Sequence, residues 1–395
     1  MVRIWQHDHF GVREATTEEN MKTTRLLAVL TALMLVLAAC TTGGDTTTTS
    51  GSEEPAGEET TTTAGGDEPT TTAGAPEPSG EGLLETVQAR GNVLCGVNDV
   101  LPGFGVVNED GTFSGFDVDL CRAVAAGVLG DPEAVEFVPL VADARFTALQ
   151  SGEIDVLIRN TTWTATRDGQ EGATFLFTTF YDGQGMMVPA STGFTTLEDL
   201  ADANICVLSG TTTELNLTAV FGARGIPFNP QVFADNEQLR PAYESGQCEA
   251  WTSDASQLAA LKATIEAEGG EEQFIMAEII SKEPLGPAVR DGDSSWAQAV
   301  EWSIMATVQA WEFGLDSTNI GSYSGTDPNV LNFLGTDGFD PGLGLATDFA
   351  ITIIESVGNY QEMYERNIVP IGLQLEGSPN DLWTNGGLMY VPPYR

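Results

Sequence analysis

The stretch Gly152-Glu-Ile-Asp-Val-Leu-Ile-Arg-Asn-Thr-Thr-Trp-Thr-Ala-Thr-Arg167 joins a short apolar segment to a polar one. Ile154 to Ile158 predicts a buried strand, because the segment is mostly apolar, contains β-branched residues and follows a glycine. The chain then offers Asn160, Thr162 and Arg167. In open α/β sheets, ligands bind beyond the carboxyl ends of the strands, so we expect a binding site here.

The residue types after this strand suit a carboxylate. The planar guanidinium of Arg167 can hold a carboxylate with two parallel hydrogen bonds, and Asn160 and Thr162 can complete the set of donors. A small solute that bears a carboxylate is therefore the first hypothesis. The alternative is an arginine in a solvated loop, and this segment by itself favours that alternative.

The composition excludes several functions. The 395 residues are 42% hydrophobic, which is enough for two domains. A formal net charge of −41 argues against binding to nucleic acid or to an anionic membrane surface, although a local cation can still bind an anionic ligand. The only histidines are His7 and His9, so a mature chain without its leader has no imidazole for catalysis or for metal binding.

The N-terminal residues predict export. A basic segment, Met21 to Arg25, precedes the apolar run Leu26 to Ala39, as in a secretory leader. Leu37-Ala-Ala-Cys40 is similar to a lipoprotein cleavage site, which predicts that Cys40 is lipidated and anchors the chain to the bilayer. An uncleaved anchor is the alternative, but the apolar run is short for a transmembrane helix. Residues 1–20 are unlike a leader, so translation is expected to start at Met21.

The rest of the chain predicts a tether and two lobes. Residues 40–82 are rich in Thr, Gly, Glu and Pro and cannot bury a core, so they predict a disordered tether. From residue 83 strands and helices alternate, which predicts mostly parallel sheets flanked by helices. The pattern restarts near Val188. We therefore expect one lobe from residues 83–188 and 284–395, and a second, inserted lobe from residues 189–283.

Four cysteines follow Cys40 along the chain. An even number of cysteines in an exported protein predicts disulfides, and three pairings are possible. If the chain forms two lobes, the pairs Cys95–Cys121 and Cys206–Cys248 would each lie within one lobe.

The second lobe offers another candidate site. In Leu208-Ser-Gly-Thr-Thr-Thr-Glu214, a strand leads into a helix; Gly210 permits close approach of the backbone, and Thr211 or Thr212 can cap the helix. Free N–H groups at a helix start attract a carboxylate or a phosphate. The alternative is an ordinary helix cap with nothing bound. No lysine follows the glycine, so the segment is not a P-loop.

Asp254 ends the segment Trp251-Thr-Ser-Asp254, which follows a short predicted strand. Its carboxylate could accept hydrogen bonds from a ligand's ammonium group, or it could cap the next helix. Arg167 on the carboxylate and Asp254 on the ammonium would together recognise the zwitterion that all α-amino acids share.

From about residue 83 to residue 395 the sequence resembles the solute-binding proteins of ABC importers for polar and general L-amino acids. The matching stretches are Cys95–Val97, Leu101–Phe104, Gly115–Ala125, Arg145–Gly152, Arg159–Thr164, Tyr181–Gly185, Gly210–Asn216, Ile280–Arg290 and Leu382–Pro393.

The resemblance implies an α/β, two-lobed periplasmic-binding-protein fold, with a ligand cleft between the lobes. It also implies a ligand-binding set, in which the α-carboxylate is bound from both lobes, Asp254 binds the ammonium group, and two residues lie at the mouth. The members of the set are Arg167, Asn160, Thr162, Gly210, Thr211 and Thr212 for the carboxylate, Asp254 for the ammonium, and Asn98 and Leu101 at the mouth.

The function that the resemblance implies is capture of a free L-amino acid by hinged closure and its delivery to an ABC permease, without catalysis, cofactor or metal. Such a protein is expected to work as a monomer in the periplasm or on the outer face of the cell membrane. The alternatives are a dehydratase-like enzyme on the same fold and a stand-alone amino-acid sensor.

Overall fold

The computed structural model describes residues 82–395. The predicted leader, the predicted lipidation site Cys40 and residues 41–81 of the predicted tether lie outside the described residues. The strands are β1 (Val93–Val97), β2 (Val100–Leu101), β3 (Gly105–Val107), β4 (Phe113–Ser114), β5 (Val135–Pro139), β6 (Val156–Leu157), β7 (Ala173–Phe175), β8 (Phe180–Asp182), β9 (Gln184–Pro189), β10 (Asn204–Leu208), β11 (Asn229–Phe233), β12 (Ala250–Asp254), β13 (Gln273–Ile275), β14 (Glu283–Leu285) and β15 (Ala288–Arg290).

The α-helices begin and end where capping residues allow it. Helix α5, for example, begins after Thr211, whose hydroxyl accepts a hydrogen bond from the Glu214 N–H at 3.1 Å, and ends at Gly225. The helices are α1 (Leu83–Arg90), α2 (Phe116–Leu129), α3 (Arg145–Ser151), α4 (Ala165–Gln170), α5 (Thr212–Arg224), α6 (Asn236–Glu244), α7 (Ala255–Ala267), α8 (Ser294–Glu312), α9 (Pro328–Phe333), α10 (Phe349–Val357) and α11 (Tyr360–Asn367).

The first sheet has the strand order β5-β1-β6-β15-β7, and only β15 runs against the other strands. Of the predicted strand Ile154 to Ile158, only Val156–Leu157 is regular β-structure, as β6. The backbone N–H groups of Asp155 and Ile158, on either side of it, also donate hydrogen bonds to β1. The sheet is therefore mostly parallel, as the alternation of strands and helices predicts.

The second sheet repeats this arrangement with the order β11-β10-β12-β9-β13, in which only β9 is reversed. In each sheet the reversed strand comes shortly after a segment that crosses from the other sheet. These crossing segments, β8 and β14, pair with each other as an antiparallel ribbon.

The boundary between the lobes differs from the prediction. The first lobe was expected to extend to Val188, yet Gln184–Pro189 is a strand of the second sheet. The cause is that β8 and β9 are separated by Gly183 alone, so the chain passes from the crossing strand into the second sheet without a loop between them. The second crossing, β14, spans the predicted boundary between residues 283 and 284.

Helix α2 is the centre of the first lobe. It is buried along most of its length, because the first sheet, α8 and α10 all pack against it. Trp296 of α8 is fully buried, and its indole Nε1 donates a hydrogen bond to the Asp155 carbonyl at 2.9 Å. The chain after β15 therefore packs on the first lobe.

The second lobe has an apolar cluster on each face of its sheet. One cluster contains Phe221 of α5, and the other contains Trp251 of β12; both side chains are fully buried. Disulfides join Cys95 to Cys121 and Cys206 to Cys248, which are the pairings expected of two separate lobes. Within residues 82–395, no helix is both long and apolar enough to cross a bilayer.

Candidate functional site

The carboxyl ends of the central strands of both sheets carry polar residues. Asn98 follows β1, and Asn160 follows β6 with φ at 27°, in the left-handed region. This unusual backbone is held by Asp117 of α2, whose carboxylate accepts a hydrogen bond from the Asn160 N–H at 2.7 Å. The second lobe contributes the start of α5, after β10, and Asp254, which ends β12.

A cavity lies between the two sheets, and we call it the central cavity. It contains about 380 Å³ of space between atoms, part of it open to solvent, and about 20 Å³ of this space can take the centre of a water molecule. Both lobes line it. The lining residues are Asn98, Ala142, Arg145, Arg159, Asn160 and Thr162 from the first lobe and Leu208, Thr211, Thr212, Thr213, Asn236, Ser253, Asp254 and Gln257 from the second.

Asp254 faces the central cavity although it holds a capping position. It precedes the first residue of α7, but its side chain makes no capping hydrogen bond. The crossing strand β8 supplies the cap, because Asp182 accepts hydrogen bonds from the backbone N–H and the hydroxyl of Ser256. Of the two roles that the sequence allows for Asp254, the structure leaves it free for a ligand.

Burial controls the charge of Asp254. Its side chain is buried, and this burial raises the pKa of Asp254 well above the ordinary value, with Asp182 and Glu283 adding like-charge repulsion. Asn160 and Arg145 act in the opposite direction. A ligand ammonium group would offset the desolvation and stabilise the ionised carboxylate.

Arg167 lies beside the central cavity, in an adjoining cavity that shares Ala142, Thr211 and Thr212 with it. Its guanidinium donates to the Thr162 carbonyl at 2.9 Å and to the Gly210 carbonyl of the other lobe at 3.4 Å. Burial lowers the pKa of Arg167, while Glu283 and Asp254 oppose this shift.

The predicted mouth residue Leu101 is placed wrongly by the sequence analysis. Its side chain is fully buried in the core of the first lobe and lines none of the cavities between the sheets. The reason is that β2 pairs with β3, with Leu101 opposite Gly105, and the side chain packs in the apolar core of the first lobe. Asn98 does line the central cavity, as expected.

Gly210 lies at a point of contact between the lobes. Its φ is 67°, and an added Cβ would come within 1.8 Å of Asp143 of the first lobe. Its carbonyl accepts hydrogen bonds from Arg145 at 3.3 Å and from Arg167 at 3.4 Å. The glycine therefore permits the close approach of the two lobes, and the lobes are closed on each other.

The hydroxyls of Thr162 and Thr212 also meet across the cleft, at 3.3 Å. Thr212 donates to Glu283 of β14 at 2.8 Å, so Thr162 must be the donor to Thr212. Glu283 is buried and accepts further bonds from Asn216 and Ser281. The crossing strand is thereby joined to the start of α5.

Sequence reasoning missed Arg145, Arg159 and Glu283. Lys and Arg together number only 16 in 395 residues, so three arginines between positions 145 and 167 are a concentration that could have drawn attention. Glu283 had no such signal. Its role depends on the pairing of β8 with β14 and on contacts with α5, about 70 residues away in the sequence.

Two lobes joined by a two-stranded crossing, with a polar cavity closed between them, define a solute-binding protein of the two-lobed class. Residues 93–368 match the family of bacterial extracellular solute-binding proteins, family 3. The chain belongs to this family, which confirms the predicted class and fold and implies that the protein is exported.

Relatives of similar length support the assignment. The general L-amino acid-binding periplasmic protein AapJ of Rhizobium johnstonii is 46% identical over 325 residues, covering 79% of this chain and 92% of AapJ. The glutamate/glutamine/aspartate/asparagine-binding protein BztA of Rhodobacter capsulatus is 44% identical over 317 residues, covering 79% and 93%. Both relatives are named as binding proteins.

A solved structure shares the fold throughout the described part of the chain. It is an ABC transporter periplasmic binding protein from Brucella ovis with glutathione bound, with a TM-score of 0.76 and 43% identity, covering 80% of this chain and 100% of that one. The cysteine-binding protein from Campylobacter jejuni is more distant, with a TM-score of 0.53 and 26% identity over 59% of this chain and 90% of that one.

Proposed function

We propose that this protein is the extracytoplasmic amino-acid-binding component of an ABC importer, which captures an L-amino acid and delivers it to a membrane permease. One observation carries the proposal. Asp254 of the second lobe, released from its capping role by Asp182, faces a closed cavity whose opposite wall carries guanidinium groups. The names of the relatives AapJ and BztA support the same conclusion.

Arg167 is the proposed partner of the ligand α-carboxylate. Its bond to the Gly210 carbonyl, at 3.4 Å, is long and therefore weak, so a carboxylate can replace it at small cost. Asn160 and Thr162 line the central cavity, which adjoins the cavity that contains Arg167. Because the Thr212 hydroxyl donates to Glu283, the second lobe would contribute the unpaired backbone N–H groups at the start of α5 instead.

Asp254 is the proposed partner of the ligand ammonium group. A buried carboxylate holds its charge only when a cation compensates the lost hydration. The ammonium group supplies this cation, so an amino acid and the ionised form of Asp254 stabilise each other. A ligand that lacks the amine would leave Asp254 protonated or uncompensated.

Ligand contacts from both lobes explain closure. A ligand that bridges the lobes binds the closed arrangement better than an open one and shifts the population towards it. The contact between Thr162 and Thr212 becomes available only when the lobes meet. The closed molecule is the form that a permease would recognise. Both walls of the cavity come from one chain, so we expect a monomer to be sufficient.

Isothermal titration calorimetry of the purified protein with the twenty L-amino acids tests this proposal. At least one amino acid should bind, and the corresponding amine and α-keto acid should not. Arg167→Ala and Asp254→Asn should each lower the affinity about 100-fold, because each removes a buried charged hydrogen bond. Arg224→Gln, at an exposed arginine of the second lobe, is the control. Binding of no amino acid, or wild-type affinity in both variants, would refute the proposal.

We further propose that residues 21–39 are the leader, that Cys40 is lipidated, and that residues 41–82 tether the binding lobes to the membrane. Leu37-Ala-Ala-Cys40 and the Thr-rich composition of the following segment support this. Cells that express the wild-type chain should hold it in the membrane fraction, and Cys40→Ser should release it. Membrane retention of the variant would show that Cys40 is not the anchor.

A further inference from the structure

Arg145 is a buried cation in the central cavity that makes few contacts. Only 3% of the residue is exposed, and it lines the cavity. One terminal nitrogen donates to the Gly210 carbonyl at 3.3 Å, while the buried Nε has no hydrogen-bond partner among the described residues. A buried, unpaired polar atom of a charged group is costly. This part of the cavity is thus suited to an acceptor that the chain does not supply.

Arg159 lines the same cavity. It is 7% exposed, and its Nε donates to the Leu140 carbonyl at 2.6 Å. Asp117 lies near this arginine, but its carboxylate accepts a hydrogen bond from the Asn160 backbone and does not line the cavity. Among the salt bridges within residues 82–395, which extend to 4.0 Å, none involves Arg145 or Arg159.

The charges that line the central cavity are unequal. Arg145 and Arg159 are its cations, and Asp254 is its only lining carboxylate. Burial lowers the pKa of Arg145, repulsion by Arg167 and Arg159 lowers it further, and Asp254 and Asp143 oppose this shift. An amino-acid zwitterion satisfies Asp254 and Arg167 and adds no net charge. Arg145 and Arg159 would then still have no carboxylate of residues 82–395 within salt-bridge distance.

We propose that the central cavity selects ligands that carry a second carboxylate in addition to the amino-acid head group, and that Arg145 and Arg159 bind this second carboxylate. The inference rests on the proposed function and narrows its substrate class. Two kinds of ligand have this chemistry, a dicarboxylic amino acid and a small peptide with a γ-linked glutamate. A neighbouring cavity, which Asp99, Asp235 and Glu237 also line, shares Asn98, Ala142, Arg159, Leu208 and Asn236 with the central cavity.

Pairs of ligands that differ by one charge test the proposal on the unmodified protein. Calorimetry would compare L-glutamate with L-glutamine, L-aspartate with L-asparagine, and glutathione with its C-terminal amide. In at least one pair the acid should bind about 10-fold or more tightly than the amide, because a charge-assisted bond to a guanidinium is lost. The pair with the larger effect identifies the natural class. Equal or tighter binding of the amide in every pair would overturn the proposal, and so would binding of another amino acid but of none of these acids. Binding of none of the twenty amino acids would refute the proposed function instead.

Two variants assign the effect to the arginines. Arg145→Met and Arg159→Met keep most of the side-chain volume, and Asp117, the buried carboxylate near Arg159, keeps its hydrogen bond from the Asn160 backbone. Each variant should bind the preferred acid about 10-fold more weakly than the wild type, and its affinity for the amide should stay within about threefold of the wild-type value. Arg224→Met, at the exposed second-lobe arginine, is the matched control. Equal losses for acid and amide would place Arg145 and Arg159 on the α-carboxylate and overturn the assignment.

Discussion

Glu283 accepts a hydrogen bond from the hydroxyl of Thr212 at 2.8 Å, and this bond joins the crossing strand β14 to the first turn of α5. It also fixes the direction of the bond across the cleft. With its proton directed to Glu283, the Thr212 oxygen accepts from Thr162 of the first lobe, 3.3 Å away. A carboxylate between the lobes thus orients the contact that the lobes make when they close.

Glu283→Gln tests this relationship. Glutamine keeps the size of the side chain, but its amide nitrogen cannot accept the bonds that Thr212, Asn216 and Ser281 donate. We expect the affinity for the preferred amino acid to fall about 10-fold, because the closed state loses at least one charge-assisted bond. Calorimetry measures the affinity, and small-angle scattering measures closure. Glu278→Gln, at an exposed glutamate of the same connecting segment, is the control; equal behaviour of the two variants would contradict the prediction.

Gly210→Ala should weaken binding by a steric route. The new Cβ would meet the Asp143 carboxylate at 1.8 Å, so the lobes could not approach fully. Gly225→Ala is a matched control, because Gly225 has φ of 68°, close to the 67° of Gly210, and no atom within 4 Å of the added Cβ. Both variants should lose about 1 kcal/mol of stability from the backbone, and only Gly210→Ala should lose affinity. Parallel melting curves and titrations distinguish the two effects.

The stability of the ligand-free protein should depend on Asp182. Burial raises its pKa from 3.8 to about 6, so between these values the folded protein holds a proton that the unfolded chain has lost. The free energy of unfolding that Asp182 contributes therefore falls as the pH rises from 3.8 to about 6. The melting temperature of the wild type relative to Asp182→Asn should decrease between about pH 5 and about pH 7.5. Asparagine can still cap α7 through its carbonyl oxygen. A constant difference across this range would rule out the titration of Asp182.

The disulfide of the second lobe should contribute stability without affecting the site. Cys206 and Cys248 are 42 residues apart in the sequence, so their bond restricts a long loop of the unfolded chain. The double variant Cys206→Ser, Cys248→Ser should lose roughly 2–4 kcal/mol of unfolding free energy. Cys248 precedes β12, whereas Asp254 ends it, so amino-acid affinity should change little. Denaturant unfolding and calorimetry would check both statements, and a large loss of affinity in the folded variant would contradict the second.

Much of the fold could be predicted from local patterns. An apolar, β-branched run that follows a glycine predicted the core of β6, and capping residues predicted the start of α5 after the strand β10. Polar side chains after these strands predicted where Asn160 and Asp254 would lie, because the strands of a parallel sheet end at a common edge. Each of these inferences uses residues that are close together in the sequence.

The errors have a common cause. Leu101 was expected at the ligand, but the pairing of β2 with β3 turns it into the core, and the boundary near Val188 was displaced because β9 joins the second sheet. Asp254 does not cap α7, because Asp182 accepts the hydrogen bond of Ser256 instead. Asp182 and Ser256 are 74 positions apart in the sequence. Such contacts leave no periodic signal in the chain.

The sequence alone determined that two α/β lobes would form and that charged groups of both signs would follow their strands, since strand pattern and capping are short-range properties. Only the tertiary structure decided which charges share a cavity, that Arg145 and Arg159 form no salt bridge with any of residues 82–395, and that Glu283 joins the lobes. These features depend on burial and on distances between remote segments, and a side chain's partners are set only once the chain has folded.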